Sequence, residues 1–190
     1  MNKYLLACIL FSASNSFGMI CPNDDINKPD NNGNAPIHLA IVRGNDGLIK
    51  SLIKHGVDMN KTNKDGDFPA KMAFMCNKPK LVKYLIEHGA DINQADRHGN
   101  TLLHLAALEN NEKEIKYFIN QGAEINIEND YGQTPLHFAT MWENKKMVSY
   151  FIKHKADMNK KDGNGHTPLD IAKEKENEKI IEYLIAHEAK

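Results

Sequence analysis

One short pattern recurs along this chain at a constant interval of 33 residues. It is clearest at residues 132–139, GQTPLHFA in one-letter code, which run from Gly132 to Ala139. The opening glycine returns as Gly33, Gly66, Gly99, Gly132 and Gly165. The closing alanine returns as Ala40, Ala73, Ala106, Ala139 and Ala172. A fixed period of this length predicts a row of identical supersecondary units, each too small to bury its apolar face alone.

The residue types within one unit predict two helices joined by a short turn. Gly132 supplies the positive φ that a tight turn needs, and Thr134 stands at a helix N-cap. Pro135 takes the first helical position, where its missing N–H costs nothing. The second helix is predicted from an apolar stripe at helical spacing, which recurs from unit to unit. In the fourth unit this stripe consists of Met147, Val148, Phe151 and Ile152.

A 33-residue period with the motif Thr-Pro-Leu-His-x-Ala resembles the ankyrin repeat. The resemblance covers residues 30–190 and implies an all-α solenoid of stacked helix-turn-helix units with β-turn fingers. At least about three such units are needed for stability. The register predicts five, at residues 30–62, 63–95, 96–128, 129–161 and 162–190.

Two units depart from the pattern in ways that predict weaker structure. The second unit has Phe68 in place of the capping threonine and Ala70 in place of the core leucine, so we expect it to be the least stable internal unit. The fourth unit has Lys155 where the second helices of the first three units end in a glycine, so we expect a looser helix end there.

The first 18 residues differ in kind from the repeats. Lys3 precedes an apolar run over residues 4–11, and Ser16 and Gly18 are small residues at the −3 and −1 positions of a cleavage site. This order predicts a secretory signal peptide removed after Gly18, which would place the protein in the periplasm or outside the cell. The alternative is a disordered or docking N-terminal helix. Residues 19–29 are predicted to form a lead-in loop or short cap.

Charge and composition limit the classes of partner. The formal net charge is −1, so there is no electrostatic case for nucleic acid or an anionic membrane. The apolar run at residues 4–11 is too short to span a bilayer, and no membrane insertion is expected after signal cleavage. We expect a monomer. The abundance of Lys, Asn and Ile fits an AT-rich bacterial genome.

The residues that could act in catalysis or metal binding stand at positions that the repeat pattern accounts for. Histidines stand at the motif position, at the ends of second helices or at turn tips, with structural roles in each place. Carboxylates and serines show no catalytic pairing, and no glycine loop suits a phosphate. The sequence therefore predicts no enzyme activity, no cofactor and no metal. Of the cysteines, Cys21 and Cys76 remain after signal removal. Either they form a disulfide, or Cys76 is a packed free thiol and Cys21 an exposed one.

The resemblance implies a partner-binding surface. In ankyrin proteins, residues that follow the small alanine of the first helix line a concave face, and the finger tips adjoin it. On this chain the corresponding candidates are Arg43, Met75, Leu108, Tyr131, Met141 and Trp142. The implied function is binding of a partner protein; the alternative is an exported inhibitor or immunity-type regulator that caps an enzyme or toxin. Trp142 has an alternative of its own, packing over its own repeat.

Overall fold

The computed structural model describes residues 25–187. The predicted signal peptide at residues 1–18 and Cys21 lie outside the described residues. The chain divides after Asp91 into two compact units, called here unit 1 and unit 2. Within the described residues every regular element is a helix, which agrees with the all-α prediction. None of these helices is long and apolar enough to cross a membrane.

Ten helices occupy the described residues. Unit 1 contains α1 (Pro36–Arg43), α2 (Asp46–Lys54), α3 (Pro69–Met75) and α4 (Pro79–Glu87). Unit 2 contains α5 (Leu102–Leu108), α6 (Glu112–Asn120), α7 (Pro135–Met141), α8 (Lys145–Lys153), α9 (Pro168–Glu174) and α10 (Glu178–Ala186). Consecutive helices form pairs in contact, and the first helices of neighbouring pairs contact each other within each unit.

Three of the first helices, α1, α5 and α7, start with a capping arrangement in which the third helical residue is histidine. The backbone N–H of Thr134 donates to Nδ1 of His137 at 3.0 Å, and the Thr134 hydroxyl lies 2.8 Å from the same nitrogen. Thr101 and His104 repeat the arrangement at 3.2 and 2.9 Å. The imidazole takes the place of the Glu or Gln of the usual box and satisfies a backbone donor at the helix start.

The second helices bury the apolar stripe that the sequence predicts. In α8 the buried residues are Met147, Val148 and Phe151. In α6 the stripe contains a carboxylate, because Glu114 occupies the position that Met147 holds in α8 and is only 6% exposed. Its Oε2 atom is buried without a hydrogen-bond partner. The fold therefore places one charged side chain among its apolar contacts.

The structure bears on both predictions of weaker repeats: it corrects the looser helix end at Lys155, while the lower stability of the second repeat stays a prediction. Phe68 is fully buried and is among the largest buried side chains of the chain, so the second pair gains an aromatic core residue where it lacks a threonine. Lys155 adopts a left-handed φ of 68°. Its N–H donates to the Ile152 carbonyl and the Ala156 N–H donates to the Phe151 carbonyl, which is the pattern seen at the helix ends that have glycine. The α8 end therefore has the same cap geometry, at the cost of backbone strain in a non-glycine residue.

The turn before each first helix is fixed by a side chain and by close backbone packing. The Oδ1 atom of Asn129 accepts the N–H groups of Tyr131 and Gln133, both at 3.0 Å. The next turn follows closely, since the N–H of Gly163 donates to the Tyr131 carbonyl at 2.7 Å. A Cβ on Gly132, whose φ is +67°, would lie 2.9 Å from the Gly163 nitrogen. Glycine is therefore required here both by conformation and by space.

A row of asparagine side chains connects successive repeats. The Oδ1 atom of each accepts the backbone N–H of the residue 31 positions later, at 2.7–2.8 Å. The pairs are Asn27 with Asp58, Asn60 with Asp91, Asn93 with Glu124, and Asn126 with Asp157. Because Asn27 takes part, residues 25–29 of the lead-in segment act as the end of a preceding repeat. The prediction of a loop or short cap over residues 19–29 stays a prediction, since only residues 25–29 of that segment are described.

Candidate functional site

The predicted partner-binding residues fall in both units. Arg43 and Met75 are exposed in unit 1, Met75 with 61% of its surface accessible. The other four lie in unit 2: Leu108, Tyr131 and Trp142 are exposed, and Met141 is half-buried. Leu108 and Met141 are the last residues of α5 and α7, and Trp142 is the C-cap of α7. We call Leu108, Met141 and Trp142 the Trp142 patch.

A hydrogen bond holds the Trp142 indole against the preceding repeat. Its Nε1–H donates to the carbonyl oxygen of Leu108 at 2.5 Å. That carbonyl belongs to the last turn of α5, where backbone acceptors have no partner within the helix. The ring remains 54% exposed and Leu108 remains 45% exposed. Trp142 thus spans two repeats with its orientation fixed and half of its surface open to solvent, so it does not pack only over its own repeat.

Acidic side chains adjoin the Trp142 patch. Glu109 directly follows Leu108 and Glu143 directly follows Trp142, and both are exposed. Glu112 is half-buried and accepts a hydrogen bond from the side-chain amide of Asn144 at 3.3 Å. We call Glu109, Glu112 and Glu143 the acidic rim. The patch therefore presents apolar surface beside negative charge.

Asparagines keep these loops in place, a role that the sequence analysis missed. Asn144 caps α8 by accepting the Met147 N–H at 3.2 Å, and its amide donates to the Asn110 side chain at 2.6 Å. Asn110 and Glu143 occupy equivalent turn positions with left-handed φ values of 53° and 55°. The signal was available, since an asparagine stands before the second helix in four of the pairs: Asn45, Asn111, Asn144 and Asn177.

Tyr131 belongs to a separate feature at the tip of a finger. Its side chain is 59% exposed. It lines a shallow polar cavity of about 480 Å³ with Asp130, Gln133, Gly163 and Asn164. The finger is well ordered by the turn bonds described above, so Tyr131 offers a second exposed aromatic surface within unit 2.

Two of the motif histidines, His104 and His137, are hydrogen-bonded at both ring nitrogens, whereas Nε2 of His38 is buried without a hydrogen-bond partner. In His104 and His137, Nδ1 accepts a hydrogen bond from a backbone N–H, so the ring proton resides on Nε2. That Nε2–H donates to a carbonyl of the next repeat, at 3.1 Å in His104 and 3.3 Å in His137. Burial lowers the pKa of both imidazoles below the usual histidine value. These side chains are neutral, buried and hydrogen-bonded at both nitrogens, which suits a structural role.

Other candidate reactive groups lie apart from one another. Histidines at the ends of second helices bond to the carbonyl four residues earlier. Three of them also contact the tyrosine ring at that position, as His154 does with Tyr150 at 4.2 Å between ring centroids. Cys76 is exposed just after α3, so the prediction that it is packed is wrong. Across residues 25–187 no three His, Cys, Asp or Glu side chains converge as metal ligands.

Comparison with known proteins identifies one family. A family model described as ankyrin repeats in three copies matches residues 3–96, 43–129 and 103–190. Together these matches cover nearly the whole chain. No curated protein matches it.

Proposed function

The chain belongs to the ankyrin-repeat family, and from that premise we propose that it is a protein-binding module without catalytic activity, with the Trp142 patch as its main contact. Ankyrin repeats generally mediate protein–protein interaction. The proposal concerns which surface of this chain is used and what chemistry it recognises.

The observation that supports the proposal most strongly is the half-exposed, oriented indole of Trp142. The ring lies against Leu108, which is exposed as well, and contiguous exposed apolar surface marks interaction sites more often than scattered apolar residues do. Tryptophan is also over-represented among residues that dominate binding energy. Because the bond to the Leu108 carbonyl already fixes the ring, little further side-chain entropy is lost when a partner covers it.

The acidic rim indicates the kind of partner. Lys or Arg side chains of a partner would pair with the carboxylates of Glu109 and Glu143, the second of which also accepts a hydrogen bond from the Asn177 side chain at 2.9 Å. We therefore expect the partner segment to carry an apolar side chain for the Trp142 patch with basic residues next to it.

Substitution of Trp142 tests the proposal. Trp142→Ala should lower partner affinity by at least about 2 kcal/mol and should change the free energy of unfolding by no more than about 1 kcal/mol. Ile185→Ala is a matched control, because Ile185 is 55% exposed in the same unit but lies on α10. Partners would be captured from the source organism with the mature protein, identified by mass spectrometry, and titrated by calorimetry.

One outcome would assign Trp142 a purely structural role. It is a stability loss of about 3 kcal/mol or more together with unchanged affinity of the folded fraction. Equal loss of affinity in Ile185→Ala would remove the special role of the Trp142 patch. If the captured partner is an enzyme or toxin whose activity falls on addition of this protein, the inhibitor alternative is supported over simple binding.

We also propose export, on the basis of the charged start, apolar run and small-residue site in residues 1–18. Expression of the full chain in a bacterium, followed by intact-mass measurement of each compartment, tests it. A mature species beginning at Met19 outside the cytoplasm is expected. Full-length protein confined to the cytoplasm would contradict export.

A further inference from the structure

The second helices of unit 2 form a cavity that shares no residue with the Trp142 patch. It is an open depression with a volume of about 460 Å³. Side chains from α6, α8 and α10 line it. We call it the lysine pocket and define it by Lys116, Lys145, Lys146, Lys153, Tyr150 and Tyr183.

Positive charge is concentrated in this pocket. Four lysines line it and no carboxylate does, in a chain whose formal net charge is −1. The only ion pair that any of the four makes within residues 25–187 joins Lys116 and Glu112 at 3.9 Å, between side chains that are 48% and 38% exposed. An ion pair with that exposure neutralises little charge. The pocket is thus an unneutralised basic site on an almost neutral protein.

Aromatic and hydroxyl groups complete the pocket wall. The Nζ atom of Lys116 lies 5.8 Å from the centre of the Tyr150 ring, and that of Lys145 lies 5.7 Å from the centre of the Tyr183 ring. These distances allow cation–π attraction, which orients the ammonium groups. The Tyr183 hydroxyl lies 2.9 Å from the Ser149 hydroxyl, so polar hydrogen-bonding groups also line the cavity.

The first turn of α8, like that of α4, lacks the acidic residue that is present in α2, α6 and α10. Each of those three helices carries an acidic residue in its first turn, which complements the helix dipole. Helix α8 carries none and begins with Lys145 and Lys146. The repeat fold does not require this unfavourable arrangement, whereas a bound anion would offset it.

From these observations we propose that the lysine pocket binds a free, small, multiply charged phosphate compound. Lysine ammonium groups act as point charges suited to phosphate oxygens, and several of them around one cavity favour a ligand with more than one negative charge. Of the Tyr183 and Ser149 hydroxyls, one donates to the other, and the second remains able to donate to a phosphate oxygen. This site shares no residue with the Trp142 patch, and it meets the acidic rim at the Lys116–Glu112 pair.

Calorimetric titration with inorganic triphosphate tests the proposal. The wild-type protein should bind one equivalent, and binding should weaken as salt is added because screening reduces the attraction. The double variant Lys145→Gln/Lys153→Gln should raise Kd at least tenfold. The control is Lys113→Gln/Lys179→Gln, which removes the same charge from exposed sites on α6 and α10 outside the pocket and should change Kd less than twofold.

Three results would overturn the proposal. They are the absence of saturable binding to the wild type, equal loss of binding in both double variants, and binding of a phosphoserine peptide without binding of triphosphate. The second result would indicate attraction to net charge alone. The third would assign the pocket to a phosphorylated protein partner. Circular dichroism of each variant confirms folding before titration.

Discussion

Replacement of Glu114 by methionine should stabilise the protein. Glu114 lies in the apolar stripe of α6, 6% exposed, with a buried Oε2 atom that has no partner. Equivalent positions of the other second helices hold an apolar residue: Leu48, Leu81, Met147 and Ile180. Methionine is similar in length, and it stands at this position in α8. The substitution therefore tests whether the buried carboxylate lowers the free energy of unfolding.

The expected magnitude follows from two opposing effects. Removal of a buried acceptor without a partner should stabilise by about 1–3 kcal/mol, and more if the group is charged. Glu114 also stands in the first turn of α6, where loss of a carboxylate near the helix N-terminus costs about 0.3–1 kcal/mol. Burial of the methionine side chain adds some favourable apolar contact. We expect a net gain of about 1–3 kcal/mol.

Chemical denaturation followed by far-UV circular dichroism measures the effect. Glu114→Met should raise the midpoint of unfolding with an unchanged slope. The matched control is Glu178→Met, which removes an exposed carboxylate from the first turn of α10 and isolates the dipole contribution. It should lower stability slightly. An unchanged or lower midpoint for Glu114→Met would refute the reasoning and indicate that Oε2 is hydrogen-bonded in solution, for example by a buried water.

Three other predictions follow from the core and the turns. Phe68→Thr should destabilise by about 3–5 kcal/mol, measured by urea unfolding, because it removes a fully buried aromatic ring; a gain in stability would restore the view that this position lacks only a cap. Gly99→Ala should lower the free energy of unfolding more than Gly165→Ala does in the same assay. Both glycines have positive φ, but only at Gly99 would the new Cβ lie 2.8 Å from a neighbouring backbone nitrogen. Stability should decrease as pH falls below about 6.5, because the lowered pKa values of His104 and His137 mean that the unfolded chain binds more protons. Substitution of both histidines by Gln should reduce that pH dependence; an unaltered pH profile would assign it to other groups.

Periodicity was sufficient to predict the helices, because a period of 33 with apolar residues at helical spacing leaves few alternatives. Side-chain burial was harder to predict. Phe68 stands at a capping position but is buried, and Glu114 is charged but is buried as well. In both cases the environment is set by neighbouring helices, which local sequence does not describe.

The candidate site was predicted in part. Sequence register identified Leu108, Met141 and Trp142 as equivalent or adjacent positions, and the structure shows Leu108 and Trp142 in contact. The bond from the indole to a carbonyl in the preceding repeat could not be predicted, because it depends on the distance between successive helices. The lysine pocket was missed because its residues come from three helices and follow no shared motif.

The asparagine bonds between repeats bear on how such a chain can change in length. Every one of them joins an asparagine to the N–H group 31 residues later, so one residue added or lost between the two partners would move that N–H out of reach. Insertion or removal of a complete 33-residue segment leaves each such pair with an equivalent partner. Gene duplication and deletion should therefore be tolerated in whole repeats, whereas single-codon insertions between two such partners should be disfavoured.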